Sequence, residues 1–470
     1  MGIGKDLRNP SDSENAQTIS SRENETLQFG ENTAHTSLSC PSPKEDNFPE
    51  GDLQSWLVVF GAWCGLFTAL GTTNTIAIFQ SYISTHQLSK YSHTTIGWVF
   101  SVYTFLAYFC GVYIGPLFDR FGPRWLIVAG TLAMTGGFML LSICRGTFKA
   151  PDIHTQSLGS LTLSDSEYWH FMLVFGVLNG TGCALLNTSC VTVVGHFFHR
   201  RRGLATGTAT AGGSVGGVVF PLLLQKLISF STLGWPWAVR ILGFLCLALT
   251  AMSNIFVRTR LPPAKNNSIH PDVTIFKEKA FLLTTIAIFP MQCALSIAIA
   301  YISSYAVSQG FSQKFSFQIV AILNSGSFFG RTLVGWWADH IGPFNANILS
   351  VLLSMFTCFA IWLPFGHSEI GIIFHAVLIG FASGNNISVS PVCIGKLCPT
   401  SHYGRYYATC FTIVSIANLI GNPIAGRILT ACEGDFWGLI LFTGTLYTLS
   451  LVMLVITKGV SVGWKVMTVF

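Results

Sequence analysis

An arginine inside an apolar run is the first residue that could do chemistry. Arg331 follows Asn324, Ser327 and Phe328 at helical i−7, i−4 and i−3 spacing, so one helix face carries a guanidinium, an amide, a hydroxyl and a ring. A cation at membrane depth costs roughly 2.5–3.5 kcal/mol on insertion scales and is tolerated where it faces a cavity or a partner. A guanidinium presents planar, bidentate donors, which suits a carboxylate or an acidic heterocycle. Its alternative use is structural, as a snorkelling side chain or a tie to the neighbouring loop.

Other polar side chains sit in equally apolar surroundings. Asn179, Cys183, Asn187 and Cys190 recur at steps of four, four and three, close to one helix face. Amides in hydrocarbon need partners, so Asn179 and Asn187 either line a solute path or bond a neighbouring helix. Asn74 lies between Thr73 and Thr75, and Gln292 follows Pro290 by two residues. Asn385 and Asn386 stand between Gly384 and Pro391, neighbours that loosen a helix and suit a place on the path. No run of residues reads as a metal site: most of the 13 cysteines lie inside apolar runs, and none forms a C-x-x-C pair.

The elements that must position these residues are membrane spans. Half of the 470 residues are hydrophobic, a tenth are charged, and phenylalanine occurs 38 times. The apolar residues form twelve blocks near 55–79, 94–117, 124–144, 169–195, 203–228, 236–257, 280–307, 317–337, 345–365, 369–391, 404–428 and 435–457. Blocks of this length cross a hydrocarbon core as helices, and their continuous apolarity excludes the alternating pattern of a barrel strand. The fold expected is all-α and integral to the membrane, with twelve transmembrane helices. Arg331 then lies about six residues, roughly 9 Å, inside one end of the eighth.

The spans divide into two similar halves. Gly115-Pro116-Leu117-Phe118-Asp119-Arg120-Phe121-Gly122-Pro123 returns as Gly335-Trp336-Trp337-Ala338-Asp339-His340-Ile341-Gly342-Pro343, after the second helix of each half. Lys and Arg crowd one set of loops, including Arg200-Arg201-Arg202, and the positive-inside rule puts both termini in the cytoplasm. The expected organisation is a disordered tail over 1–52, a six-helix bundle over 53–257, a cytoplasmic linker over 258–279, a second bundle over 280–458 and a tail over 459–470. Span 5 adds a glycine series, Gly203, Gly207, Gly212-Gly213 and Gly216-Gly217, that lets helices approach closely and slide.

The loop Gly115, Asp119, Arg120, Gly122 and Arg124 resembles the signature loop of the major facilitator superfamily, and Gly335, Asp339 and Gly342 its reduced second copy, with Phe344 in place of a basic residue. The run His196-Phe197-Phe198-His199-Arg200-Arg201-Arg202-Gly203-Leu204-Ala205-Thr206-Gly207, with Trp56 to Trp63 opening span 1, is similar to the fungal branch of the monocarboxylate porter family. The resemblance implies two pseudo-symmetric bundles that rock about a central site. It also implies a Lys in span 1 and an Asp in span 8; here Asn74 and Ser327 hold those places and only Arg331 remains. Glu50-Gly51-Asp52 replaces the family's Asp-Gly-Gly-type start.

The function expected is secondary transport of a small organic solute, a carboxylate or other anionic metabolite, with efflux of a fungal secondary metabolite or import of a riboflavin-like vitamin as alternatives. A transporter-like nutrient sensor is a further alternative. No G-x-x-x-x-G-K-[ST] loop supplies ATP-driven pumping, and no embedded cluster of acids or histidines points to an enzyme. No cofactor is expected, and proton coupling is what the superfamily implies, although the usual span-8 Asp is missing. The partners expected are the solute and the lipid bilayer, with no nucleic acid, and the chain is expected to work as a monomer. The plasma membrane is the expected location, with the vacuolar membrane as alternative.

Overall fold

The computed structural model describes residues 1–2, 48–144, 168–229, 234–260 and 269–462. Met1–Phe48 forms one unit, of which most lies outside the described residues, and Pro49–Phe470 forms the other. The expected tail over 1–52 and the 261–268 part of the expected linker therefore fall largely outside the described residues.

Among the described residues twelve long helices follow one another: α1 (Leu53–Asn74, continued by Ile76–Thr85), α2 (Thr95–Phe121), α3 (Arg124–Ile143), α4 (Tyr168–Phe197), α5 (Arg202–Ser229) and α6 (Gly234–Phe256), then α7 (Lys279–Ser308), α8 (Gln313–Ile341), α9 (Pro343–Phe365), α10 (Glu369–Lys396), α11 (Tyr403–Ala431) and α12 (Trp437–Val462). Among the described residues, eleven of these are long and apolar enough to cross a membrane. The exception is α8, whose 29 residues include Asn324, Ser327 and Arg331, so the helix least suited to lipid is the one richest in candidate chemistry. Helix α12 runs to Val462, which moves the start of the expected C-terminal tail beyond 459.

Local sequence sets the helix ends. Ser92, Ser312 and Ser368 accept hydrogen bonds from the backbone N–H of Thr95, Phe315 and Gly371, capping α2, α8 and α10. At the other end of α2 and α8, Gly122 (φ +80°) and Gly342 (φ +88°) take positive-φ backbone conformations that glycine adopts without steric cost, and each helix stops there. A proline follows each and opens the next turn. The duplicated motif is thus a duplicated helix stop.

Helix α8 is held on two sides by backbone-to-backbone contacts. Toward α10, a Cβ on Gly326, Gly330, Gly380 or Gly384 would run into the carbonyl oxygen of Val377, Phe381, Leu323 or Ser327. Toward α5, Gly207 faces the Arg331 carbonyl, and Gly203 and Gly335 face each other's carbonyls. Helix α5 meets α1 the same way, through Gly71 and Gly216. Glycine here removes volume where two backbones touch. Gly330→Val is therefore expected to destabilise the protein by about 1–3 kcal/mol, because a carbonyl cannot rotate away, whereas Gly136→Val, with nothing within 4 Å, should leave the melting temperature in detergent unchanged.

Candidate functional site

Three helices supply a polar seam between the halves. From α8, Arg331 donates through Nε to Ser327 Oγ (3.3 Å) and through Nη1 to the carbonyl of Thr210 on α5 (2.5 Å). Ser214 Oγ on α5 donates to Ser327 Oγ at 3.2 Å. Asn74 on α1 donates to the Gly213 carbonyl (3.2 Å), and Asn324 on α8 donates to the carbonyls of Gly217 (3.5 Å) and Val320 (3.0 Å). Gly213 and Gly217 permit this: a Cβ on the first would press on Leu70 and the Arg331 guanidinium, and on the second against both asparagines. Four of the sequence candidates, Asn74, Asn324, Ser327 and Arg331, thus converge on one stretch of α5.

The charge balance of the seam is unusual. Arg331 is 3% exposed, and among the described residues no carboxylate pairs with it. Carbonyl and hydroxyl oxygens carry the cation instead. A guanidinium has five N–H donors in a fixed fork, so two protein partners do not exhaust it. The arrangement can accept an anion without first breaking an ion pair.

Thr210 also lines a small cavity of about 10 Å³, room for one water-sized body. Both halves build it: Tyr108 (α2), Asn187 (α4) and Thr210 (α5) face Gln292 (α7), Tyr407 and Phe411 (α11). Asn187 donates to the Tyr407 hydroxyl at 3.4 Å. Phe411 stacks with Tyr108 (centroids 5.7 Å apart, planes at 23°) and packs on Tyr407 at 4.6 Å. Asn187 and Gln292 were candidates from sequence; Tyr108, Tyr407 and Phe411 were not. Rings in apolar spans read as lipid-facing, and the only available signal was the tyrosine hydroxyl, which needs a partner in hydrocarbon.

Three expected path residues point elsewhere. Asn385 donates to the Ala346 carbonyl at 3.0 Å and to Ser350 Oγ, and Asn386 donates to Ser354 Oγ at 3.5 Å, all on α9 within the second half. Their neighbours Ile387 and Pro391 line the cavity instead. Asn179, at the end of a π-helical stretch of α4 (Met172–Asn179), packs on Gly137 of α3. The two α10 amides have bonded the adjacent helix of their own half, the use open to any buried amide, whereas Asn179 packs on its neighbour with no hydrogen-bond partner among the described residues.

At the loop end of the bundle, each half grips the other. Asp119, closing α2, accepts the N–H of Gly404 (3.0 Å) and Arg405 (2.9 Å) at the start of α11. Asp339, closing α8, accepts the N–H of Gly203 (2.6 Å) and Leu204 (2.9 Å) at the start of α5. A carboxylate at a helix N-terminus satisfies orphan donors and meets the positive end of the dipole. Gly115 and Gly335 let the backbones close, since a Cβ on either would strike the Gly404 or Gly203 carbonyl. The second loop copy, which sequence comparison within the chain marks as reduced, makes the same pair of bonds as the first; the lost basic residue is not part of the grip. Arg120 lies over the Phe121 ring at 5.3 Å, and Arg124 begins α3 exposed. Glu50 accepts the N–H of His199 and Arg200, so an acid still ties the segment before α1 to the turn before α5.

Comparison with known proteins agrees with this architecture. Residues 61–422 match the family profile of the Major Facilitator Superfamily. The chain is 32% identical over 463 residues to the riboflavin transporter MCH5 of Saccharomyces cerevisiae, covering 93% of this chain and 85% of that protein. It is 32% identical over 396 residues to the aspyridones efflux protein apdF of Emericella nidulans, covering 84% of this chain and 75% of that protein. Among solved structures, the human organic anion transporter MFSD10 superposes with a TM-score of 0.67 at 12% identity, over 85% of this chain and 99% of that one. The transporter FucP superposes with a TM-score of 0.63 at 14% identity, over 86% of this chain and 99% of that one. With twelve helices in two similar bundles, a polar seam between them and this match, the chain belongs to the Major Facilitator Superfamily and is a multi-pass membrane transporter.

Proposed function

We propose that this transporter carries a planar, ring-bearing organic solute with an acidic group, and that it belongs to the monocarboxylate porter branch of the superfamily. The observation that carries the reading is Arg331, a buried cation without an acid partner among the described residues, joined through Thr210 to a cavity walled by Tyr108, Tyr407 and Phe411. An arginine orients an anionic group and aromatic walls select a flat one. The named substrates of two relatives, riboflavin and aspyridones, support a larger solute than lactate.

In this reading the halves, 53–257 and 280–458, rock about the seam, with the grip at the loop end closed and the 10 Å³ cavity too small for any such solute until it opens. The positive-charge bias supports an orientation with the loop end and both termini in the cytoplasm, and the plasma membrane is the location proposed, with the vacuolar membrane as alternative. One chain suffices, and no cofactor is required.

The test is uptake into proteoliposomes of a panel holding flat heterocyclic acids, the neutral flat ring compound riboflavin and small aliphatic monocarboxylates. Saturable transport of at least one flat acid is expected. Transport of lactate or pyruvate with none of the ring-bearing acids would overturn the substrate class.

A further inference from the structure

The loop end holds a third crossing between the halves, made of side chains that neither aspartate grip uses. Arg202 directly precedes Gly203, and Tyr403 directly precedes Gly404, the two glycines whose N–H groups meet Asp339 and Asp119. The two side chains therefore hold equivalent places in the two halves, and they meet. The Arg202 guanidinium carbon lies 4.1 Å from the centroid of the Tyr403 ring. Both are buried, at 3% and 1% exposure.

Their surroundings are built for this contact. Arg202 Nη1 donates to the Gly395 carbonyl at 3.1 Å, near the C-terminal end of α10. Gly195, near the C-terminal end of α4, faces the same guanidinium and the Tyr403 ring, and a Cβ on Gly195 or Gly395 would run into Arg202. The carbonyl ends of two helices carry negative partial charge, so helix dipoles and a ring face balance the cation. The Tyr403 hydroxyl donates to the Pro391 carbonyl at 3.0 Å, which fixes the ring. Duplication of one ancestral half would put like residues at these places; two guanidinium groups in this space would repel, whereas a guanidinium and a ring attract.

Opening the loop end moves Arg202 on α5 away from α10 and α11, which both belong to the other half. The contact with Tyr403 and the bond to Gly395 would break together. We propose that Arg202 and Tyr403 form a gate pair that sets how readily the loop end opens, and with it the rate of transport, without touching the solute.

The experiment is a distance measurement on the full chain in lipid nanodiscs, with native cysteines replaced and spin labels at Trp125→Cys and Trp337→Cys, exposed positions in opposite halves. Arg202→Gln and Tyr403→Leu should each raise the ratio of open to closed distances about tenfold. Tyr403→Phe, which keeps the ring, should stay within about twofold of wild type. Because the ring contact is already lost when Arg202 is replaced, the double variant should exceed Arg202→Gln by no more than about twofold. Equal ratios for Tyr403→Leu and Tyr403→Phe, or effects that multiply in the double variant, would overturn the proposal. Melting temperatures of the variants separate this effect from general loosening, and the Leu and Phe contrast decides the case alone if Arg202→Gln does not fold.

Discussion

Arg331→Gln is expected to cut transport per molecule at the membrane about ten- to a hundredfold. A hydrogen bond between a charged donor and an anionic group contributes about 1.5–3 kcal/mol, and each 1.4 kcal/mol is tenfold in rate. Glutamine keeps a donor for Ser327 Oγ or the Thr210 carbonyl but cannot reach both and cannot neutralise an anion. Arg331→Lys keeps the charge and loses the planar fork, so its activity should fall between the two. The protein itself should survive the change, because removing a buried cation that has no acid partner among the described residues also removes a desolvation cost of several kcal/mol. Uptake normalised to surface protein, with a melting curve alongside, separates loss of solute chemistry from loss of fold. Unchanged uptake by Arg331→Gln would leave the residue a structural tie.

Asp119→Ala is expected to have the second large effect, on conformation. The carboxylate accepts two N–H groups across the boundary between halves, and losing both removes about 3–6 kcal/mol from the closed loop end at about 1.5–3 kcal/mol each. The ratio of open to closed should then rise by two orders of magnitude or more. Asp119→Asn retains one acceptor oxygen and should shift it less. Asp339→Ala should act in the same direction, because its bonds to Gly203 and Leu204 repeat the geometry. Spin-label distances at the loop end read all three variants. A conformational response confined to Asp119 would mean that the second loop copy has lost its role.

Much of this architecture is legible in the sequence because lipid leaves the backbone few choices. Twelve apolar blocks become twelve helices, the offset repeat of Gly115–Pro123 at Gly335–Pro343 becomes two helix stops, and the glycines of span 5 become the surface on which α1 and α8 lie. Arg331 with Asn324 and Ser327 is legible for a related reason: charge and amide at helical spacing in hydrocarbon must face something.

What sequence does not show is which face of a helix looks at which neighbour. Asn385 and Asn386 carry the polar signal in span 10, yet Ile387 and Pro391 face the cavity, because amides find oxygens on α9 before they find the seam. Tyr108, Tyr407 and Phe411 are hidden among many rings of the same composition. Arg202 and Tyr403 lie 201 positions apart, and only the approach of the two halves makes them a pair. Asp339 looks weakened by the residues around it, whereas its two bonds depend on the carboxylate and on the start of α5 alone.

Under the proposed function, Arg331 selects an acidic, ring-bearing solute that this chain moves across a membrane. Metabolite profiles taken inside and outside cells that express wild type, Arg331→Gln or no transporter test it most directly. A flat, acidic compound is expected whose inside-to-outside ratio shifts with wild type and returns to the empty-cell value with Arg331→Gln. No shifted compound, or the same shift with both proteins, would contradict it.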